Sequence, residues 1–259
     1  MSSSPSRRAV PPVEQSLPSS SPSRRAVPPV EQSRSFLLQE FIHTSDTRPD
    51  PAQLGSNLAE LHRKSRSPEG SFGFHTRNYQ GGVPQIIDWD PSWSSFFSRL
   101  IADLFSAECI LNGPWPSYES AFKKLLQHVI PQLLEPLQSD GRSIKPCLVH
   151  GNLSVANTPT NLASGSPVFF DTAAFYAHHE YELGMWRRAT VNFDDKYFWQ
   201  YFKHYPPSEP IKAWEDRVRL YSIKFNLVYM ISCPGSLVVR KQYVLYQLRP
   251  MIVALANNA

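Results

Sequence analysis

Four polar residues in the middle of the chain have types and spacing suited to moving a phosphoryl group. In "LVHGNLSVAN" (148–157) an apolar strand end runs into His150, Gly151 and Asn152, and Asn157 follows five positions after Asn152. Asp171 closes the next apolar run, "PVFFD". Phosphoryl transfer needs an oxygen that meets the acceptor hydroxyl, and an amide oxygen and a carboxylate that hold Mg²⁺ against the nucleotide phosphates. Its template places a His two residues before a carboxylate, an Asn five residues after it, and a metal-binding Asp on a following strand. His150, Asn152, Asn157 and Asp171 fill those places, with an amide where the carboxylate belongs. "HGNxxxxN" alone is a weak pattern of ordinary loop residues; the strand before it and "VFFD" after it strengthen it.

The elements that must position these residues are legible as periodicities. "FLLQEFI" (36–42) predicts a short buried strand, and "PAQLGSNLAELHRK" a helix with Leu54, Leu58 and Leu61 on one face. Long amphipathic helices are predicted over 92–111 and 117–137, the second bent or interrupted at Pro131. "CLVH" (147–150) and "PVFFD" (167–171) read as two strands of a hairpin. From about Glu180 onward the chain reads as helical, most clearly in "AWEDRVRLYSIKFNLVYMI" and "VRKQYVLYQLRPMIVALA". The aromatic stretch "YFWQYFKHYPP" (197–207) has the helical spacing of core packing rather than of a stacking platform. The fold class expected is α+β, a mostly helical body with a small β element in its middle.

Composition narrows the function. With 41% hydrophobic residues the chain can bury a sizeable core, and a net charge of +4 gives little support to a nucleic-acid partner. Cys109, Cys147 and Cys233 are widely spaced and outside any metal-ligand pattern, which points to reduced thiols in a cytoplasmic protein. The sequence contains no apolar run long enough to span a bilayer, so no membrane partner is expected. "SSSPSRRAVPPVEQS" occurs twice, at 2–16 and 19–33, and predicts a disordered tail over 1–35, since its only sizeable apolar residue is Val.

The stretches "KPCLVHGNLSVANTPTN" and "PVFFDTAAFYAHHEYELGMWR" resemble the fructosamine and ketosamine 3-kinases, whose usual loop is HGDLWxGN, followed by a strand, an Asp and a YGHxExxL segment. "LAELHRKS", "FGFHTRNYQGGVPQ", "DWDPSWSSFFSRL" and "NFDDKYFWQYFKHYPPSEP" extend the similarity over about residues 36–245. "HHEYELGMWR" is most similar to fungal members described as protein-ribulosamine 3-kinases. The resemblance implies a protein-kinase-like fold of the aminoglycoside-phosphotransferase type, with ATP and Mg²⁺ as cofactors. It implies phosphorylation of the 3-hydroxyl of a ketosamine on a glycated protein lysine; the product breaks down and frees the lysine. Carried over by position, Asn152 stands where the family has its catalytic Asp, and His150 matches the loop-orienting histidine. Asn157 and Asp171 match the metal ligands, and Glu40, Phe41 and Ile42 lie in the hinge strand whose backbone meets adenine. Trp89 and Trp93 match family tryptophans, and Ser154 replaces a Trp, a change expected to reshape the acceptor pocket.

Two departures qualify what the resemblance implies. A neutral amide at 152 is hardly basic and cannot act as a general base. Ahead of Phe36 there is no glycine and no lysine, the first being Gly55 and Lys64, whereas a kinase-like fold places a glycine turn and a phosphate-binding lysine ahead of the hinge. The expected plan is therefore a tail over 1–35, a hinge-strand remnant over 36–46 and a helical C-terminal lobe over 47–259, with most of the N-terminal lobe missing. On that plan activity is weak or lost, and Asn152→Asp alone restores little. Two alternatives stand beside it: a non-catalytic binder of glycated lysine or of a protein partner, and a truncated gene product. His178 and His179 are adjacent, so their rings are expected to point apart and bind no zinc, while Glu180 and Glu182 are expected to serve a helix N-terminus.

Overall fold

Leu54 and Leu58, the two residues that set the first helical period, are fully buried, as their spacing predicts. The computed structural model describes residues 38–45, 47–188, 191, 193–235, 240, 250 and 253. The chain divides into two units, Met1–Phe41 and Ile42–Ala259. In the first, Leu38 to Phe41 has no regular structure, and Leu38 and Phe41 are 89% and 80% exposed. The buried strand expected over 36–42 is not formed at 38–42. An extended run needs a neighbouring strand to take its backbone N–H and C=O groups, and pairing starts only further on, at β1 (Thr44–Ser45). Residues 36 and 37 and the tandem repeat lie outside the described residues.

In the second unit, α1 (Pro51–Lys64) begins where Asp50 accepts a hydrogen bond from the Gln53 amide at 2.9 Å and Pro51 occupies the first turn. A hairpin, β2 (Tyr79–Gln80) and β3 (Val83–Pro84), follows. Next comes α2 (Trp93–Asn112), started by the Ser92 hydroxyl and burying Trp93, Phe96, Phe97, Leu100, Ile101 and Leu104. The helix expected over 117–137 is broken into α3 (Pro116–Lys124), a π turn over Leu125–Val129, α4 (Ile130–Leu134) and a 3₁₀ turn. Pro131 is the physical cause: it has no N–H and its ring crowds the preceding turn, which widens to admit it.

β4 (Cys147–Val149) and β5 (Thr160–Asn161) come next, the latter antiparallel to β1 with Thr44 opposite Asn161. β4 pairs antiparallel with β6 (Phe175–Ala177), Cys147 facing Ala177 and Val149 facing Phe175. This corrects the expected hairpin partner. In 167–171, Pro167 makes an isolated bridge to Thr160, and Asp171 adopts φ +56°, which turns the chain before a ladder can continue. Among the described residues, α5 (His179–Leu183), α6 (Asp195–His204) and α7 (Trp214–Ser232) follow. The run 239–256 lies outside the described residues except for Arg240, Pro250 and Val253.

α1 packs on α6 so closely that a Cβ at Gly55 would lie 2.7 Å from the Gln200 backbone carbon. On α6, Tyr197, Phe198, Tyr201 and Phe202 are buried, in keeping with core packing for that stretch. α7 lies against α2 and α5 and buries eleven of its 19 residues, including Arg217 and Lys224. Trp93 stands at the centre, edge-on to Tyr181 at 5.9 Å and to Tyr221 at 5.9 Å. This mixed, mostly helical body with short two-stranded ladders fits the expected α+β class. No helix among the described residues is long and apolar enough to cross a membrane.

Candidate functional site

His150 follows directly on β4, and Asp171 lies four residues before β6, the strand paired with β4. At the end of β4 the backbone amides of His150 and Gly151 both donate to the Glu182 carboxylate, Gly151 to Oε1 at 3.0 Å. Gly151 has φ +75°, and a Cβ there would sit 2.3 Å from the Ala173 carbonyl oxygen, so only glycine fits. His150 is 2% exposed; its Nε2 donates to the Phe170 carbonyl at 2.9 Å. Its Nδ1 accepts from the Asn152 amide at 3.2 Å. Those two bonds fix one tautomer and make His150 a brace between loop and strand end.

Asn152, Asn157 and Asp171 are brought together as the spacing predicts. The Asn152 side-chain nitrogen donates at 3.1 Å to both the backbone oxygen and Oδ2 of Asp171. The Asn157 side-chain nitrogen donates to the Asn152 carbonyl at 2.8 Å, which leaves its amide oxygen as the atom available to a cation. Asp171 is exposed, and the Phe170 amide donates to the Asn157 carbonyl at 3.4 Å, so the two oxygen-bearing side chains sit on neighbouring backbone. An exposed carboxylate beside an amide oxygen is the hard-oxygen donor set that a Mg²⁺ ion takes. Glu40, Phe41 and Ile42 precede β1 in irregular chain, Glu40 and Phe41 exposed and Ile42 half-buried.

His178 and His179 do not point apart. Their rings lie 4.8 Å apart and both Nε2 atoms meet the Ser208 hydroxyl, at 2.9 and 3.1 Å. Together with Glu180 they offer ligand atoms within 4.8 Å of one another, yet each of those atoms is engaged. The two Nδ1 atoms meet the Tyr221 and Tyr201 hydroxyls, both at 2.9 Å, and the Tyr201 hydroxyl also meets His62 Nδ1 at 2.8 Å. Glu180 accepts from Arg217 Nε and Nη2 at 2.6 and 2.8 Å and from the Ser208 amide at 2.7 Å.

The proton order in this buried chain follows from its ends. Trp93 Nε1, a donor only, donates to the Tyr221 hydroxyl at 2.9 Å, and His62 Nε2 faces Glu182 Oε2 at 3.8 Å. Tyr221 therefore donates to His178 Nδ1, His178 Nε2 donates to Ser208, and Ser208 donates to His179 Nε2. His179 Nδ1 then donates to Tyr201, and Tyr201 to His62 Nδ1, leaving His62 Nε2–H toward the carboxylate. The reverse order would aim a His62 lone pair at Glu182. Burial holds His178 and His179 well below the usual histidine range, which keeps both rings neutral.

Glu180 and Glu182 stand in the first turn of α5, as expected, and their carboxylates also reach other elements: Glu180 pairs with Arg217, and Glu182 holds the loop backbone. Burial pushes the Glu180 carboxyl up against the pull of Arg217, which stays charged. Gln80, on β2, was not singled out from the sequence. Its Nε2 donates to Asn152 Oδ1 at 3.1 Å, and its Oε1 accepts from the fully buried Lys224 ammonium at 2.5 Å. The sequence signal for Lys224 is a charge between Leu220 and Leu227, on the buried face of an apolar helix.

Comparisons with known proteins give the family and the fold. The family model described as fructosamine kinase matches residues 13–249. The chain is 32% identical over 190 residues to a chloroplastic protein-ribulosamine 3-kinase of Oryza sativa subsp. japonica, covering 72% of this chain and 52% of the relative. It is 27% identical to the ketosamine-3-kinase of Mus musculus, covering 73% of this chain and 64% of that protein. A crystal structure of a fructosamine-3-kinase from Thermobifida fusca has a similar fold, with a TM-score of 0.65 at 22% identity, over 84% of this chain and 69% of that one. The chain spans about half the length of the rice relative, 52%. With the family model matched over most of the sequence and its loop residues gathered at one face, the chain belongs to the fructosamine kinase family.

Proposed function

We propose that the face formed by Asn152, Asn157 and Asp171 is the phosphate-transfer site of a ketosamine 3-kinase in which transfer is slow. ATP is the phosphoryl donor. The acceptor is the 3-hydroxyl of a ribulosamine or fructosamine on a glycated lysine. Asn157 and Asp171 hold Mg²⁺, which when bound neutralises charge on the phosphates. His150 orients the loop. The observation that carries this reading is the convergence of Asn152, Asn157 and the exposed Asp171 in the order the family uses.

The chain's own geometry argues for slow turnover. The Asn152 amide donates to Asp171 and accepts from Gln80, so no carboxylate stands at this position to take the acceptor's proton. Loss of a general base typically lowers rates by about 10²–10⁴. Positioning and electrostatics, which carry most of phosphoryl transfer, leave room for residual activity. The test is phosphate incorporation by the purified chain with ATP, Mg²⁺ and ribulosyl-lysine. Slow incorporation that disappears in Asp171→Ala supports the reading; incorporation unchanged by Asp171→Ala overturns it.

The same lack of a base favours a second reading, a binder of glycated lysine that transfers nothing. Calorimetry with a glycated peptide and no nucleotide separates the two. Heat of binding with no phosphate incorporation supports the binder; incorporation above background removes it.

A further inference from the structure

Lys224 and Asp171 stand at opposite ends of a four-residue line of side chains. Lys224 Nζ meets Gln80 Oε1 at 2.5 Å, Gln80 Nε2 meets Asn152 Oδ1 at 3.1 Å, and Asn152 Nδ2 meets Asp171 Oδ2 at 3.1 Å. An amide is two-faced, so either middle residue could in principle be turned over. The ends forbid it. The Lys224 ammonium has donors and no acceptor, which requires the oxygen of Gln80 to face it. The backbone oxygen of Asp171 can only accept, which requires the nitrogen of Asn152 to face it. The two requirements meet in the middle with a donor on Gln80 and an acceptor on Asn152, so every contact is satisfied in one polarity only.

We propose that Gln80 and Lys224 are positioning residues which lock the Asn152 amide, so that it turns its NH₂ to Asp171 and its oxygen to the hairpin. This deepens the reading of Asn152 and Asp171 as part of a phosphate-transfer site and rests on that reading for its functional meaning. Asp171 sits at φ +56°, an uncommon conformation for a residue other than glycine, and Asn152 grips both its backbone oxygen and its carboxylate. The hairpin therefore acts on the cation-facing carboxylate through Asn152 without touching it. Lys224 is anchored from behind, with its ammonium 5.0 Å from the Phe225 ring centre and 5.8 Å from that of Tyr181. It sits at the buried root of the line, where the amide of Gln80 has little freedom to turn.

Side-chain amide NMR on the full chain reads the polarity directly. The Asn152 Hδ2 protons are expected to give strong NOEs to Asp171 Hα and weak ones to Gln80 Hγ. In Gln80→Leu, which removes the link, the NOEs to Asp171 are expected to weaken, and Mn²⁺ affinity by calorimetry to fall roughly 10-fold or more, as for removal of a partner that orients a ligand. Reversed NOE intensities in the unaltered chain would overturn the proposal. So would unchanged Mn²⁺ affinity in folded Gln80→Leu, since a merely structural contact would leave it unmoved. If Gln80→Leu does not fold, Lys224→Met and the unaltered chain carry the same NOE readings. Neither measurement needs nucleotide or ketosamine, so a failure of phosphate transfer and a failure of this proposal are seen separately.

Discussion

At Gly151, Asn152 and Asp171 each residue type is tied to a distance. Alanine at 151 would place its Cβ 2.3 Å from the Ala173 carbonyl oxygen, in a backbone conformation at φ +75° that side chains disfavour. Gly151→Ala is therefore expected to lower stability by about 1–3 kcal/mol, measured by urea unfolding, because the loop must shift off Glu182 to relieve the contact. Asn152→Asp is expected to bring two carboxylates to hydrogen-bond distance where an amide now donates. Like charges so placed repel unless a cation lies between them. The variant should accordingly melt below the unaltered chain in chelator and gain more from added Mg²⁺ or Mn²⁺, read as the difference between two thermal shifts. An equal shift in both proteins would place the Asn152 side chain away from the cation. His150, Asn152, Asn157 and Asp171 were legible because they lie within one strand–loop–strand segment with fixed spacing. Gln80 was not: it reaches Asn152 from 72 residues away, a separation no local pattern encodes.

Among the elements, helices were readable and strand partners were not. A helix satisfies its own backbone, so the buried stripes of α1, α2 and α7 suffice to define it. A strand depends on a neighbour. "CLVH" was correctly extended, but its partner proved to be Phe175–Ala177, past the left-handed turn at Asp171 that the apolar run "PVFF" concealed. The polar chain from Trp93 to His62 was hidden for the same reason, since it is assembled from α2, α7, α5, α6 and α1. It carries a prediction that belongs to the elements together. Long-range ¹H–¹⁵N spectra should find His178 and His62 as Nε2–H tautomers and His179 as the Nδ1–H tautomer. Tyr201→Phe removes the hydroxyl between His179 and His62. It leaves a buried donor and a buried acceptor without partners, which costs about 1–3 kcal/mol for each. The spectrum of that variant should lose the fixed His62 tautomer, and a tautomer that persists would mean the order is set elsewhere.

Across the whole molecule the core carries charge-bearing groups that must lose charge or find partners, and this couples folding to pH. Arg217 finds Glu180, and Arg240 finds Glu108, with Nε and Oε1 2.7 Å apart. Among the described residues Lys224 meets an amide oxygen and aromatic faces, with Glu182 acting on it as a favourable charge, and burial brings its pKa from 10.5 down to about 7. The unfolded chain therefore binds one more proton than the folded chain between about pH 7 and the unfolded lysine value, so in that window stability rises with pH. Below about pH 7 the full penalty of burying the ammonium is present, on the order of a few kcal/mol from the size of this shift. The buried His178 and His179 act in a lower window. Their depressed values give stability that is present above the unfolded histidine pKa and is lost as the pH falls below it. Glu180, held up by burial, opposes them at more acid pH. Comparing Lys224→Met with the unaltered chain cancels the histidine and glutamate contributions and leaves the lysine alone. Methionine removes the ammonium but strands the Gln80 oxygen, an offset of about 1–3 kcal/mol that does not vary with pH. The variant's stability relative to the unaltered chain is thus expected to be most favourable at pH 6–7 and to decline steadily toward pH 10, measured by urea unfolding at fixed ionic strength. A difference that stays flat across that range would mean Lys224 keeps its ordinary proton affinity in the fold, with water reaching its amine.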